Sequence, residues 1–250
     1  MKYPFRVFVL AGAISAALPA QQSDVQPDAI SALNNMGTYL RTLKAFQVHA
    51  DSYKEEVLLD GQKIQLASVS DLLAQAPGQL RLEFDSDRED RLYLYDGKIF
   101  TLVDTATNYY ATVAAPPTIP ELINVLQEKY GITLPFADLF RWGGPQSKLD
   151  EIKAARNIGP GQVGGTTCEH YASRQPGLDW QIWIQLGNYP LPRKLVLTTM
   201  TDEARPQFSA TYTWNLAPSF NEATFKFDPP PGASKITIAE APTGGGDNRR

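Results

Sequence analysis

The chain has 250 residues, 43% hydrophobic and 20% charged, with 23 Lys and Arg against 27 Asp and Glu and a formal net charge of −4. That is enough apolar chain for one sizeable core and too little charge for disorder throughout, and it leaves no basic footprint for nucleic acid. The single cysteine, Cys168, excludes an intramolecular disulfide framework and a cysteine-rich zinc site.

The first residues read as an export signal. Lys2 and Arg6 form a short basic region, Val7 to Leu18 is an almost unbroken apolar run, and small residues follow, with cleavage expected after Ala20 or Ala17. A run of about a dozen apolar residues is short for a membrane span. Cys168 lies far from this region, so a lipid anchor on an N-terminal cysteine is not expected. Removing residues 1–20 takes Lys2 and Arg6 with it and deepens the net charge from −4 to −6. No second apolar stretch approaches transmembrane length, and a soluble periplasmic protein is the expectation.

Residues 25–44 suit an amphipathic helix. Pro27 stands near its start, and Ile30, Leu33, Met36 or Gly37, Leu40 and Leu43 recur at three- and four-residue spacing. Strands follow at short intervals. Phe46, Val48 and Ala50 alternate with polar residues, as do Leu80, Leu82 and Phe84, and the Asp60-Gly61 and Asp96-Gly97 pairs each divide two strand-like runs as hairpin turns. After Pro116-Pro117 the period changes. Ile119 to Tyr130 reads as a helix ending at Gly131, and a shorter helical piece spans Pro135 to Trp142.

Strands are expected again over roughly 149–157, 162–173, 180–186, 193–199, 208–215 and 223–227. Residues 239–250, rich in glycine and ending in Arg249-Arg250, read as a disordered tail, leaving a single domain over 21–238. Two blocks of about six strands bracket a helical insert. The fold class is therefore α+β and mostly β: an unclosed half-barrel, a large curved antiparallel sheet of about 11–12 strands. The N-terminal helix and the central insert would cover its concave face and enclose an apolar space.

Several stretches resemble a family of predicted periplasmic proteins of unknown function within the outer-membrane lipoprotein carrier (LolA-like) superfamily. They are Tyr95-Asp96-Gly97-Lys98, Asn108-Tyr109-Tyr110, Pro117-Thr118-Ile119, Leu134 to Leu139, Asp179 to Ile184, Leu191 to Lys194 and Phe225 to Ala233. The resemblance spans nearly all of residues 28–238. It implies a curved, unclosed antiparallel sheet with helices across its concave side, binding lipid or lipoprotein acyl chains. The chain is longer than the true carriers and has its own central insert, so the cavity is carried over and the lipoprotein-handling role is not. Fold by itself does not assign chemistry.

The expected cavity residues are Leu33, Met36 and Leu40 from the first helix and Leu122, Val125 and Leu126 from the insert. Phe84, Leu94, Ile182, Ile184 and Tyr212 are expected from the sheet. Pro116 to Thr118 would hinge the insert as a lid. The partner is then a lipid or an acyl chain; the alternative is a ligand-free module that binds another envelope protein. Cys168 and His170 share one face of a strand, but parallel side chains align poorly for proton transfer and a metal would want further ligands. No catalytic residue, metal or cofactor is expected. The charged stretch Asp85 to Arg91 lacks the ligand spacing of a calcium loop and reads as a solvated hairpin tip. Gly161 with Gly164-Gly165 reads as a turn and fits no phosphate-binding fingerprint.

Overall fold

The structure, a computed structural model, describes residues 24–241. The expected export segment, and the tail beyond residue 241, lie outside the described residues. Helix α1 (Pro27–Thr42) leads into six strands: β1 (Ala45–Val57), β2 (Lys63–Gln75), β3 (Gln79–Ser86), β4 (Asp90–Tyr95), β5 (Ile99–Asp104) and β6 (Tyr109–Ala114). Helices α2 (Ile119–Tyr130) and α3 (Ala137–Arg141) follow. The second block is β7 (Ala154–Val163), β8 (Thr166–Gln175), β9 (Leu178–Gln185), β10 (Pro192–Thr199), β11 (Gln207–Asn215) and a short β12 (Ser234–Lys235).

All twelve strands form one open sheet, in the order β12-β6-β5-β4-β3-β2-β1-β11-β10-β9-β8-β7. Two hairpin-connected runs, β1 to β6 and β7 to β11, are joined where β1 pairs β11 from Gln47–Asn215 to Lys54–Phe208. Every neighbouring pair is antiparallel except β12 beside β6.

This order decides where the helices lie. With β6 toward one edge and β7 at the other, the connection between them has to cross the sheet, about 50 Å for a dozen strands spaced ~4.8 Å apart. It does so as α2 and α3, against one face, called inner below. Helix α1 shares that face. It starts beside the far edge, where the Gln26 N–H donates to the Ala155 carbonyl at 2.9 Å, and ends at the central strand β1.

The period of two then sorts the strands. Val48 pairs Leu72, Leu72 pairs Leu82 and Leu82 pairs Tyr93 across four strands, and all are buried on the inner face. Against them α1 buries Ala29, Leu33, Met36 and Leu40, and α2 buries Ile119, Leu122, Ile123 and Leu126, making one contiguous core. The ends of α2 follow from its sequence. The Thr118 side chain accepts a hydrogen bond from the Glu121 N–H at its start, and Gly131 adopts a left-handed conformation (φ 66°) that ends it.

The return from β11 to β12 crosses the opposite, outer face. Three sequence expectations change there and in the insert. Residues 223–227, expected as a strand, hold a 3-10 turn at Glu222–Phe225. The Asn221 side chain accepts from the Ala223 N–H, and Thr224 Oγ1 accepts from the Asn221 N–H at 3.1 Å, a reciprocal cap that starts a helical turn. The strand expected over 149–157 begins only at Ala154, after a 3-10 turn at Leu149–Glu151. The expected tail boundary at residue 239 falls within a segment fastened to the end of α2. There the Ala241 N–H donates to the Lys129 carbonyl at 2.8 Å, and Glu240 pairs Lys129 at 3.0 Å.

Candidate ligand-binding cavity

Where the insert crosses the centre of the sheet, the fit is incomplete. A compartment of about 370 Å³ lies between α3, the segment that follows it and β9–β10, bounded by Leu33, Trp142, Trp180, Leu195 and Leu197, with Gln127, Arg141 and Lys148 among its polar lining. A second, of about 260 Å³, lies over β1, β2 and β11 against Ser52, Ser68, Ser70, Phe84, Phe208 and Tyr212. The two share Asp138, Trp142, Leu195 and Leu197 and therefore adjoin. A third space, of about 360 Å³, lies near the end of α1 against Leu40, Phe46, Pro120 and Phe140.

The second compartment has a compositional cause. Ser52 pairs Ser68 and Ser70 pairs Ala50, so the centre of the inner face carries small side chains between Phe84 on one flank and Tyr212 on the other. Helix α3 is only five residues long and cannot fill the gap.

Helix α3 also places a carboxylate there. Phe136 takes a left-handed conformation (φ 63°), its ring edge-on to Tyr212 with centroids 6.1 Å apart, and Ala137 and Leu139 are buried. Asp138, between them, borders both compartments. Asp138 is exposed to solvent, with protein closely surrounding it. Burial pushes its carboxyl above the usual carboxylate range, against a smaller pull downward from Arg141. Arg141 itself donates to Gln127 Oε1 at 2.6 Å, and the Asp138 carboxylate has no hydrogen bond or ion pair among the described residues.

Three polar atoms of the sheet are, unlike the exposed Asp138 carboxylate, both buried and unpaired among the described residues. The buried Ser70 Oγ, Ser173 Oγ and Trp180 Nε1 have no hydrogen-bond partner. The phenol of Tyr212 is pushed up by burial and further by Asp138. Buried polar groups are paired in the great majority of cases, so such a concentration calls for a physical account.

The expected cavity residues divide four ways. Leu33 lines the first compartment, Phe84 and Tyr212 the second, and Leu40 the third. Met36, Leu122, Leu126, Ile182 and Ile184 are fully packed members of the core. Val125 is half-buried, because the buried stripe of α2 runs through Ile119, Leu122, Ile123 and Leu126 and leaves it on the flank. Leu94 is a correction: it pairs Arg81 and Thr101, so it shares the outer face with them, away from the helices. It is nonetheless buried there, along with Thr101 and Val103. The returning C-terminal segment explains this: it buries Phe225, and Phe227 stacks near the outer-face Tyr110 with centroids 4.9 Å apart.

The sequence reading missed Asp138, Trp142 and the inner-face serines. The signal for the serines was present in β2, where Ser68 and Ser70 occupy the alternation register of Leu72 and Ala74.

Cys168 and His170 do share a face, the outer one. Burial raises the Cys168 thiol, opposite to what an activated nucleophile needs. The His170 ring lies flat against Trp183 (3.9 Å, 7°) with Nε2 3.1 Å from Gln181 Oε1, while the Lys194 ammonium stands 5.0 Å from the same indole ring. Among the described residues no three His, Cys, Asp or Glu side chains converge as a metal site.

The segment entering the insert is pinned rather than loose. The Tyr95 hydroxyl donates to the Pro116 carbonyl, the Ile119 N–H donates to the Pro77 carbonyl at 2.9 Å, and Gly78 lies directly beneath Pro117. At the other end of the insert, Gly37 of α1 touches Gly143 backbone to backbone. Both ends of the expected lid are therefore held.

The family described as "Predicted periplasmic protein (DUF2092)" matches residues 29–239. No curated protein matches the chain. Among solved structures the chain is similar to LprF from Mycobacterium bovis, at 13% identity and a TM-score of 0.45, over 84% of this chain and 99% of that one. It is also similar to a LolA-superfamily protein from Nitrosomonas europaea (7%, TM-score 0.38, 80% and 97% of the two chains). A third similarity is to a chain of the Pseudomonas aeruginosa MucA/MucB complex (15%, TM-score 0.33), over 77% of this chain and 59% of that one.

Proposed function

The chain belongs to this family of predicted periplasmic proteins, and from that premise we propose that it sequesters an apolar ligand between its sheet and its helical insert. The observation that supports this is the pair of adjoining compartments at Asp138 and Trp142, about 370 and 260 Å³, in which Leu, Phe, Trp and Tyr side chains stand beside polar ones such as Gln127, Arg141 and Lys148. Together they fall within the range of small-molecule sites, about 300–1,000 Å³. Burial of apolar surface drives binding, at about 0.8 kcal/mol per methylene. A ten-carbon stretch would gain about 8 kcal/mol, which corresponds to about micromolar affinity before the costs of ordering it are subtracted.

Detergent-free purification of the chain followed by native mass spectrometry and solvent extraction tests the reading. A stoichiometric lipid, or uptake of added long-chain lipid by the apo protein, supports it. A clean apo mass with no uptake refutes it.

One feature favours a second reading, a protein-interaction module. The tip of the β1–β2 hairpin extends past its flanking strands, since β11 pairs β1 only as far as Lys54 and β3 pairs β2 only from Ser68. It carries exposed Leu58 and Leu59, a place where an envelope partner could dock. Capture of such a partner by the wild type, and its loss when both leucines become Ser, would favour this reading if no lipid is found.

A further inference from the structure

The two compartments meet at Trp142, Leu195, Leu197 and one polar residue, Asp138. Asp138 stands at that junction, bordering both spaces, with a carboxylate that is neither hydrogen-bonded nor ion-paired among the described residues. Ser70 is 1% exposed, faces the second compartment and leaves its hydroxyl without a partner. Trp180 borders the first compartment with an unpartnered indole N–H. The Tyr212 hydroxyl, in the wall of the second compartment, has no hydrogen-bond partner among the described residues. A purely hydrocarbon ligand would strip water from the exposed Asp138 carboxylate and return nothing, whereas the Ser70 and Trp180 atoms are already shielded from water.

The complement can be specified from donor and acceptor types. An ionised carboxylate only accepts hydrogen bonds, and an indole N–H only donates. The nearest cation, Arg141, is engaged by Gln127. What the junction lacks is a donor aimed at Asp138. A hydroxyl group supplies that donor, and an ammonium supplies it together with opposite charge.

Resting on the cavity reading above, we infer that the ligand is an amphiphile whose hydrogen-bond-donating head, a hydroxyl or an amine, is bound at Asp138 while its chain fills the apolar compartment beside it. Asp138 accepts from the head, Trp142 and Leu195 flank it, and the chain contributes affinity without selectivity. Selection between amphiphiles of equal length is made at the junction.

Three probes of one chain length test this: 1-dodecanol, dodecylamine and dodecyl methyl ether, which has a polar oxygen but no donor. Binding is followed by the emission of Trp142 and Trp180 and checked by native mass spectrometry. The wild type should bind the alcohol or the amine at least about tenfold more tightly than the ether, the scale of a hydrogen bond to a charged acceptor. The arm that wins identifies the head as neutral or cationic. Asp138→Leu should erase the preference while still binding the ether. Asp138→Asn, of the same shape, should keep binding the alcohol and lose the preference for the amine, which guards against a folding defect in the leucine variant. Equal binding of all three by the wild type, or an unchanged preference in Asp138→Leu, overturns the inference and leaves the cavity reading standing. Failure of every probe to bind overturns both.

Discussion

Gly37→Ala is the sharpest test of how the insert is held over the sheet. Gly37 is a buried residue in α1, and a Cβ built there would meet the Gly143 nitrogen, lie 2.7 Å from Gly143 Cα and 2.8 Å from the Trp142 carbonyl carbon. All three obstacles are backbone, so no side chain can rotate away, and Gly143 is itself in the left-handed region (φ 70°). Two effects compete. Alanine in a helix interior gains about 1 kcal/mol over glycine in propensity. Overpacking costs about 1–3 kcal/mol, and the rigid obstruction puts this site at the upper end. The net is a loss of about 2 kcal/mol, which for a chain of this size lowers Tm by about 4–8 °C. Differential scanning calorimetry reads it directly. Asn34→Ala, exposed on the same helix, makes the propensity gain without the collision and should melt at or above the wild type. If Gly37→Ala also melts at or above the wild type, the close approach of α1 to the insert is not a constraint.

Leu94→Ala should destabilise the chain by about 2–5 kcal/mol in urea titration, yet leave lipid uptake unchanged, because this side chain lies under the C-terminal segment on the outer face. Lost uptake at unchanged stability would return it to the cavity. Asp138→Asn should raise Tm near neutral pH. The folded-state carboxyl sits above its unfolded value, so the native state binds the extra proton and stability falls as pH rises through the window above about 4. Below that window the two proteins should melt together, and a Tm gain that persists at pH 3 would show that charge is not the cause. Long-chain ligand should shift the emission of Trp142 and Trp180, which line the first compartment, and should leave that of Trp183 unchanged on the outer face. Single Trp→Phe variants, Trp214 included, separate the four signals.

How much was legible in the sequence follows from the range of each signal. The hairpins at Asp60-Gly61 and Asp96-Gly97 and the helix bounded by Thr118 and Gly131 are set within a few residues, and each forms where the sequence puts it. The count of about a dozen strands is the sum of such local signals and also stands. Periodicity fails where the decisive partner is distant. Alternation places Leu92 and Leu94 on one face of β4 but cannot say which face the helices cover. That is decided by β6 and β7 lying at opposite sides of the sheet, a fact of topology. Asp138 was invisible for the same reason, since a lone acid in a five-residue helix acquires meaning only once the fold sets it between two compartments.

The same topology explains why the space exists. An insert obliged to cross the sheet can be fully packed only where both surfaces supply bulk. Along α1 and α2 they do: Met36, Leu122 and Leu126 close against large side chains, and the core there is solid. Over the middle strands the sheet supplies Ser52, Ser68 and Ser70 and the insert supplies a short helix ending at Arg141, so the two surfaces separate. Enlarging those serines would close the gap and gain apolar contact, so the empty state forgoes packing that the fold could have had. It also leaves Ser70 Oγ and Trp180 Nε1 without partners, each a cost of about 1–3 kcal/mol. An occupant apolar along its length would recover the forgone packing, and a donating head would meet the unpaired Asp138 carboxylate where the two compartments adjoin.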